Sequence, residues 1–455
     1  MIERSLFAAM TLLLSACASA PRVIEPGEPV TAFTNVTLVT EYGGARLDGH
    51  TVAVRGDRII AIAADGALRL PDDAQLIDGE GRLLAPGLAD MHVHYFNPAY
   101  GALFLANGIT TVRDPSAGPN GLRLDAATLA GEMAGPRVYP SGQLIDGPTS
   151  FWGEAVTTDT PEQVRQRVRA DAEAGLRAIK LYAELSPEQF AAGVEEARRL
   201  GLRIYAHVPR AMSLEQVLAY RVDSIEHLDG FDRALGAEGE YSSVRWAAVE
   251  RSPMPELANE VTASGVWNTP TLIVLLASSR AFADIDAADA APEMRYADAG
   301  LRAFWRSYYD RIPEGTDLEA RYRVVLAGHQ QRIAMLSALR EAGAPLLIGT
   351  DTPNPYVMPG FSLHEELGFF LEAGFTRRDI LRIATLEAAR FLEQEGEFGI
   401  VAEGARADLL LLDGDPEADL DVLRAPAGVM AGGRWFDAAA LTEMLAAQAE
   451  AAPAQ

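Results

Sequence analysis

The sequence predicts an α/β protein: a (β/α)8 TIM barrel carrying a small β-sandwich domain built from N- and C-terminal segments. Three observations predict it. Eight short apolar segments recur between residues 87 and 351, most of them separated by amphipathic helical stretches. Strand-and-turn sequence flanks this region at 33–85 and again at 400–437. The 455 residues exceed what a single hydrophobic core usually holds, which leaves room for a second, smaller unit.

Residues 1–17 read as a signal peptide of the lipoprotein type. Arg4 precedes an apolar run from Leu6 to Leu14, too short to span a bilayer as a permanent helix, and small residues follow. Leu14-Ser15-Ala16-Cys17 resembles the bacterial lipobox, in which the cysteine is lipidated after cleavage. The alternative is a plain signal cut after Ala18 or Ala20, with Cys17 incidental. Either way the expectation is an exported bacterial protein, periplasmic or anchored to the membrane through lipid on Cys17. The chain has 1 cysteine, so a disulfide framework and a thiol nucleophile are both excluded.

A Pro/Glu/Thr-rich linker (18–32) is expected to hold little structure. FTNVTLVT (33–40), TVAVRGDRIIAIAADG (51–66) and AQLIDGEGRLL (74–84) then alternate apolar and polar residues, with Gly-Asp or Asp-Gly breaking the runs. ADLLLLDG (407–414) and GVMAGGRWFD (428–437) supply the returning strands. The barrel is expected over 86–399, and its strands are GLADMHV, ITTVRD (109–114), RVYPSG (137–142), AIKLY (178–182), RIYAHV (203–208), SIEHL (224–228), WNTPTLIVLL (267–276) and PLLIGTD (345–351). Helices are expected over 160–176, 186–202 and 214–222. The segment 278–320 reads as irregular and lies between the seventh and eighth strands, where barrels carry lids. An Ala-rich tail (438–455) closes the chain.

Apolar residues make up 49% and aromatics 7%, which are globular values. Against 39 basic residues stand 64 acidic ones, a net charge of −25 that excludes nucleic acid and an anionic membrane surface as partners. A small-molecule substrate is the expected partner, and a homo-oligomer stays open.

Functional side chains of such a barrel collect at the C-terminal ends of its strands. His92 and His94 close the first; two apart on a strand, they share a face and can both point into the barrel mouth. Lys180, His207, His227 and Asp351 stand at the same end of four later strands. Of 7 histidines, these four take strand ends, while His50, His329 and His364 have no comparable setting. Taken singly, each histidine reads as a packed strand residue, Lys180 as a surface lysine and Asp351 as a loop cap. Six such groups at ordered strand ends read as a site.

Neutral imidazole and carboxylate suit zinc and similar divalent ions. An ammonium cannot ligate a cation, so Lys180 fits between metals only if its amine becomes an anionic group, or it is no ligand at all. Two divalent ions would activate a water and polarise the bond it attacks, and Asp351 would take the water's proton and hand it to the leaving group.

The set PGLADMHVH, AIKLY, YAHVP, SIEHL and IGTD, followed by ATLEAARFL (384–392) and FGIVAEGARADLLLLDGDP (398–416), resembles the amidohydrolase superfamily, in its imidazolonepropionase-like and prolidase-like branch. The resemblance covers nearly the whole mature chain. It implies that His92 and His94 bind the more buried of two metals, that Lys180 is carboxylated and bridges them, and that His207 and His227 bind the second. It also implies that Asp351 contacts the first metal and acts as the catalytic base, with zinc as the usual ion. Where the family usually has a lysine, this chain has Arg406, a departure that bears on packing.

The deaminase branch of that superfamily typically has one metal, lacks the bridging lysine, and carries a catalytic glutamate where this chain has Arg210. Hydrolysis of an amide, cyclic amide or dipeptide is therefore favoured over deamination. Lactone or ester hydrolysis at the same site, and a non-catalytic binding lipoprotein, are the further alternatives. Tyr182 could hydrogen-bond a substrate carbonyl or pack as a rim tyrosine. Arg210 could clamp a substrate carboxylate or lie solvated on its loop. Trp152, Phe304, Trp305, Tyr308 and Tyr309 could line an apolar pocket or form the buried face of a helix.

Overall fold

The computed structural model describes residues 21–239 and 241–451, so the signal segment and Cys17 lie outside the described residues. Among those described, no helix is long and apolar enough to cross a membrane.

The alternating N-terminal sequence forms strands Val30–Val39, Arg46–Arg55 and Arg58–Ala64, paired antiparallel, with the tight turn at Gly56 (φ 57°) joining the last two. Val30–Val39 also pairs, in parallel, with Gln75–Asp78 and Leu83–Pro86. Leu83–Pro86 in turn pairs antiparallel with Leu409–Leu412, which continues to Gly428–Ala431 and Arg434–Asp437. Both ends of the chain thus share one sheet of eight strands among the described residues. Phe33, Val36, Val54 and Ile59 from the first part and Val401, Leu409 and Met430 from the last bury one common apolar cluster. Burial of that surface favours the sheet by roughly 25 cal/mol per Å2.

Two terminal segments carry more structure than their composition suggests. In the expected linker, Arg22–Val23 pairs with Leu68–Arg69 and Ile24 is buried. The Ala-rich end is a helix, Ala438–Ala451, with Leu441 buried and Gln448 Nε2 donating to Tyr296 O at 3.3 Å. Alanine is the best helix former, and one apolar side chain per turn suffices to dock such a helix.

Between the two halves of the sheet lies an α/β body of parallel strands. Leu88–Asp90, Ile109–Asp114 and Arg137–Pro140 pair in that order, and so do Leu144–Asp146, Ala178–Leu181, Arg203–Ala206, Ser224–Glu226 and Trp267–Thr269. Gly142 N donates to Ala178 O at 2.8 Å and links the two groups. The segment 345–351 is held on one side by Leu347 N to Asn268 O (2.9 Å) and on the other by Met91 N to Ile348 O (2.8 Å). Hydrogen bonds therefore run from the first segment through the eighth and back to the first.

The intervening helices begin where the sequence caps them. Thr160 with Gln163, Ser186 with Gln189 and Ser213 with Gln216 each form a reciprocal capping box that opens Pro161–Glu173, Pro187–Leu200 and Leu214–Ala219. Arg406 is buried, bonded to Asp408 and to Thr111 Oγ1 (2.7 Å), and so ties the returning strands to the parallel body.

Two expectations fail after the seventh strand. WNTPTLIVLL is a strand only over Trp267–Thr269, and Ile273–Ala283 is a helix. Pro270 cannot donate to a ladder, and the buried Glu366 carboxylate accepts the amides of Leu272 (2.9 Å) and Ile273 (2.8 Å), capping the helix that follows. A short apolar run does not distinguish a buried strand from a buried helix by period alone. The segment 278–320, expected to be irregular, is largely helical, with Ile285–Asp289, a 3-10 turn at Pro292–Tyr296, and Ala299–Tyr309 capped by Asp298. The long helix Leu318–Ala342 follows.

The eighth segment can approach the first because residue 349 is glycine. A Cβ there would lie 2.7 Å from the backbone nitrogen of His92. Gly349→Ala should force these segments apart and lower stability by about 1–3 kcal/mol, read as a shift of the urea midpoint. An unshifted midpoint would show that the contact has slack.

Candidate metal centre

Ends of the parallel strands bring His92, His94, Lys180, His207, His227 and Asp351 to one cavity of about 280 Å3. The backbone there is bent out of the strand conformation. His227 (φ 64°), Thr271 (43°) and Asp351 (61°) all adopt the left-handed region although none is glycine, a costly arrangement that clusters at functional sites. Asp351 is held by its own amide, which donates to His92 O at 2.7 Å. Its Oδ1 lies 2.8 Å from His94 Nε2 and 3.4 Å from His92 Nε2. Donor atoms of these three residues fall within 4.8 Å of one another.

Each imidazole is oriented through its other nitrogen. His92 Nδ1 donates to Glu226 Oε2 (2.7 Å), and His94 Nδ1 hydrogen-bonds Ser116 Oγ (2.8 Å). His207 Nδ1 lies 3.3 Å from Asp229 Oδ2, and His227 Nδ1 is 2.6 Å from Thr271 Oγ1. With Nδ1 engaged in all four, Nε2 faces the cavity, in His94 toward Asp351 Oδ1, and is the atom each could offer a metal, the pattern that fixes tautomer and ring plane in metal sites.

Burial lowers the His92 pKa to about 4 and pushes His227 well below its usual value, so both are neutral donors at pH 7. Burial works against charge on Asp351, yet His227, His92 and His94 hold its carboxyl far below the usual range. His94 differs: burial opposes its charge, but its bond to Asp351 and the nearby Asp114 raise its pKa. Neutral His92 and His227 beside an ionised carboxylate fit a divalent cation.

Lys180 sits among them, buried, with no hydrogen-bond partner for Nζ. Burial brings its pKa down to about 8, Glu226 opposing and Arg113 assisting. A partnerless buried ammonium is costly. Burial therefore favours the neutral amine at this position.

Beneath the histidines lies a network absent from the sequence reading. Arg113 is fully buried: Nη2 donates to Glu226 Oε2 (2.7 Å) and Thr269 Oγ1 (3.0 Å), Nη1 donates to Ser224 Oγ (2.9 Å), and Nε donates to Met91 O. Burial raises the cost of the Glu226 charge, but Arg113, Lys180 and His92 hold that carboxyl well below the usual range. The signal was present as Arg113 inside ITTVRD and Glu226 inside SIEHL, each an ionisable residue within a short strand; Glu226 also immediately precedes His227.

Tyr182 lines the cavity, its ring 4.1 Å from that of His207, and its Oη accepts from Trp152 Nε1 at 2.7 Å. Arg210 does not reach the cavity. Its side chain is 76% exposed and pairs with Glu184 Oε1 at 3.0 Å, so of its two readings the structure has the solvated loop residue. The aromatic group divides: Trp152 and Phe304 line the cavity, whereas Trp305 is buried, donating from Nε1 to Pro353 O at 2.7 Å. Glu226→Gln should leave Arg113 as an uncompensated buried charge and cost about 3–5 kcal/mol of stability by equilibrium denaturation. A loss near zero would mean that water or another group neutralises Arg113.

Residues 83–436 match the amidohydrolase family. Adenine deaminase 3 of Rhizobium johnstonii is 25% identical over 417 residues, covering 89% of this chain but 57% of its own, so the chain spans little more than half that relative's length. Imidazolonepropionase of Anaeromyxobacter sp. is 26% identical over 397 residues, covering 82% of this chain and 86% of that enzyme. The solved bottromycin amidohydrolase shares the fold, with a TM-score of 0.72 at 24% identity over 93% of this chain and 90% of that one. With its parallel strands and all six strand-end residues of the cavity inside the matched region, the chain belongs to the amidohydrolase family.

Proposed function

We propose that this protein is an exported hydrolase of a carbon–nitrogen bond, in an amide, cyclic amide or dipeptide, that works with two divalent ions, zinc foremost. The observation that carries the reading is the convergence on one cavity of four imidazoles with engaged Nδ1 atoms, the ionised Asp351 and the partnerless Lys180. The architecture we assign is a (β/α)8 barrel over 86–399, supported by the return of hydrogen bonds from 345–351 to the first strand. A composite β domain from 33–85 and 400–437 is supported by the shared sheet.

His92, His94 and Asp351 would hold one ion, and His207 and His227 the other. Lys180 Nζ would add to carbon dioxide and lose a proton, giving a carboxylate that bridges the two sites. Bound divalent ions supply a lowered water pKa and polarisation of the bond under attack. Asp351 accepts the water's proton and delivers it to the departing nitrogen. Tyr182 Oη, already accepting from Trp152, keeps its own hydrogen free to donate to the substrate carbonyl or the charge that develops on it. Export, with lipid on Cys17, is supported by the sequence of residues 1–20 and is tested by mass spectrometry of the membrane fraction.

Asp351→Asn should cut kcat by roughly 100-fold or more while most bound metal is retained; near-normal turnover would remove Asp351 from the proton path. Lys180→Ala should lower metal content and activity together, with partial rescue by short carboxylic acids, measured by elemental analysis alongside turnover. Full metal content and activity in that variant would exclude the bridge. Release of free ammonia with one metal equivalent would instead favour deamination, the chemistry named for the Rhizobium relative.

A further inference from the structure

The cavity above the metal centre has a definite charge pattern. Its floor is the ligand set with Lys180. Its walls are aromatic (Phe96, Trp152, Tyr182, Phe304) and amide (Asn120, Gln143, Asn354). Among the described residues no arginine lines it, and Lys180 in the floor is its one lysine. Arg210 is turned away onto Glu184, and Arg311 is spread over the rings of Phe151 (5.0 Å) and Tyr308 (5.1 Å), outside the lining. The wall holds two carboxylates: Asp114, buried and accepting the amides of Tyr95 (2.7 Å) and Ser116 (3.1 Å), and Glu154, two residues after Trp152, exposed and with no ion pair among the described residues. A substrate carboxylate entering here would meet no guanidinium and, at the exposed part of the wall, the like charge of Glu154. An ammonium or guanidinium would meet a free carboxylate beside aromatic faces, the combination that recognises cations.

We infer that the substrate is an amide whose group outside the scissile bond is cationic or neutral rather than anionic, with Glu154 and Trp152 recognising the cation. The inference rests on the hydrolase reading and narrows it away from substrates held by a free carboxylate.

The test uses three 4-nitroanilides of equal acyl-chain length ending in an ammonium, a methyl or a carboxylate, with the zinc-loaded full chain. The ammonium compound should have the highest kcat/KM and the carboxylate the lowest. Each step should be about fivefold, the scale of one exposed ion pair, lie in KM and flatten at high salt. Glu154→Gln should collapse the ammonium-to-carboxylate ratio, and Glu154→Arg should invert it. Carboxylate turned over as well as ammonium by the wild type, or a ratio untouched by Glu154→Gln, overturns the inference. Should none of the three be hydrolysed, the hydrolase reading fails instead. Calorimetric binding of the same compounds then decides the charge preference alone, with equal affinities counting against it.

Discussion

Arg113 crosses the interior of the parallel strands to reach Glu226, and the geometry of the site depends on that pair. One guanidinium binds four groups from three segments: Met91 O, Ser224 Oγ and Glu226 Oε2 of one strand, and Thr269 Oγ1. Its flat faces lie against Tyr205 (4.5 Å) and Phe391 (5.1 Å). A buried ion pair gains little over apolar packing, because desolvation offsets most of its attraction. What it provides here is direction. Glu226 Oε2 is shared between Arg113 and His92, so the plane of the imidazole follows from a charge held by the strands beneath it.

Strain at the strand ends completes the arrangement. Left-handed backbone at His227, Thr271 and Asp351 is disfavoured for residues with a Cβ, and each is held by a specific bond: His227 N to Thr269 O (2.7 Å), His227 Nδ1 to Thr271 Oγ1, and Asp351 N to His92 O. These bends turn side chains that a regular strand would send sideways toward a common point. Rigid strands below and distorted residues above give the site both precision and convergence.

The residues that gather at the cavity floor were legible in the sequence because strand ends are marked twice, by an apolar run and by an ionisable residue at its end. Lys180, His207 and His227 each satisfy both marks. Arg113 and Glu226 were illegible as a pair because their contact spans many residues and depends on which strands lie opposite across the interior. The helix at Ile273–Ala283 was misread since an apolar run carries no period when every face is buried, and its cap, Glu366, comes from elsewhere in the chain. Arg210 stayed open between two readings because its direction is set by Glu184, on a neighbouring loop.

The pairing of Leu83–Pro86 with Leu409–Leu412 has a consequence for how the molecule is made. Those strands are separated by roughly 300 residues, so the N-terminal sheet emerges from the ribosome with one side open and stays open until nearly the whole chain exists. Contacts of such long sequence separation are slow to form, since loop closure must precede their reward. A chain that cannot close early keeps its N-terminal strands waiting for partners that are made last.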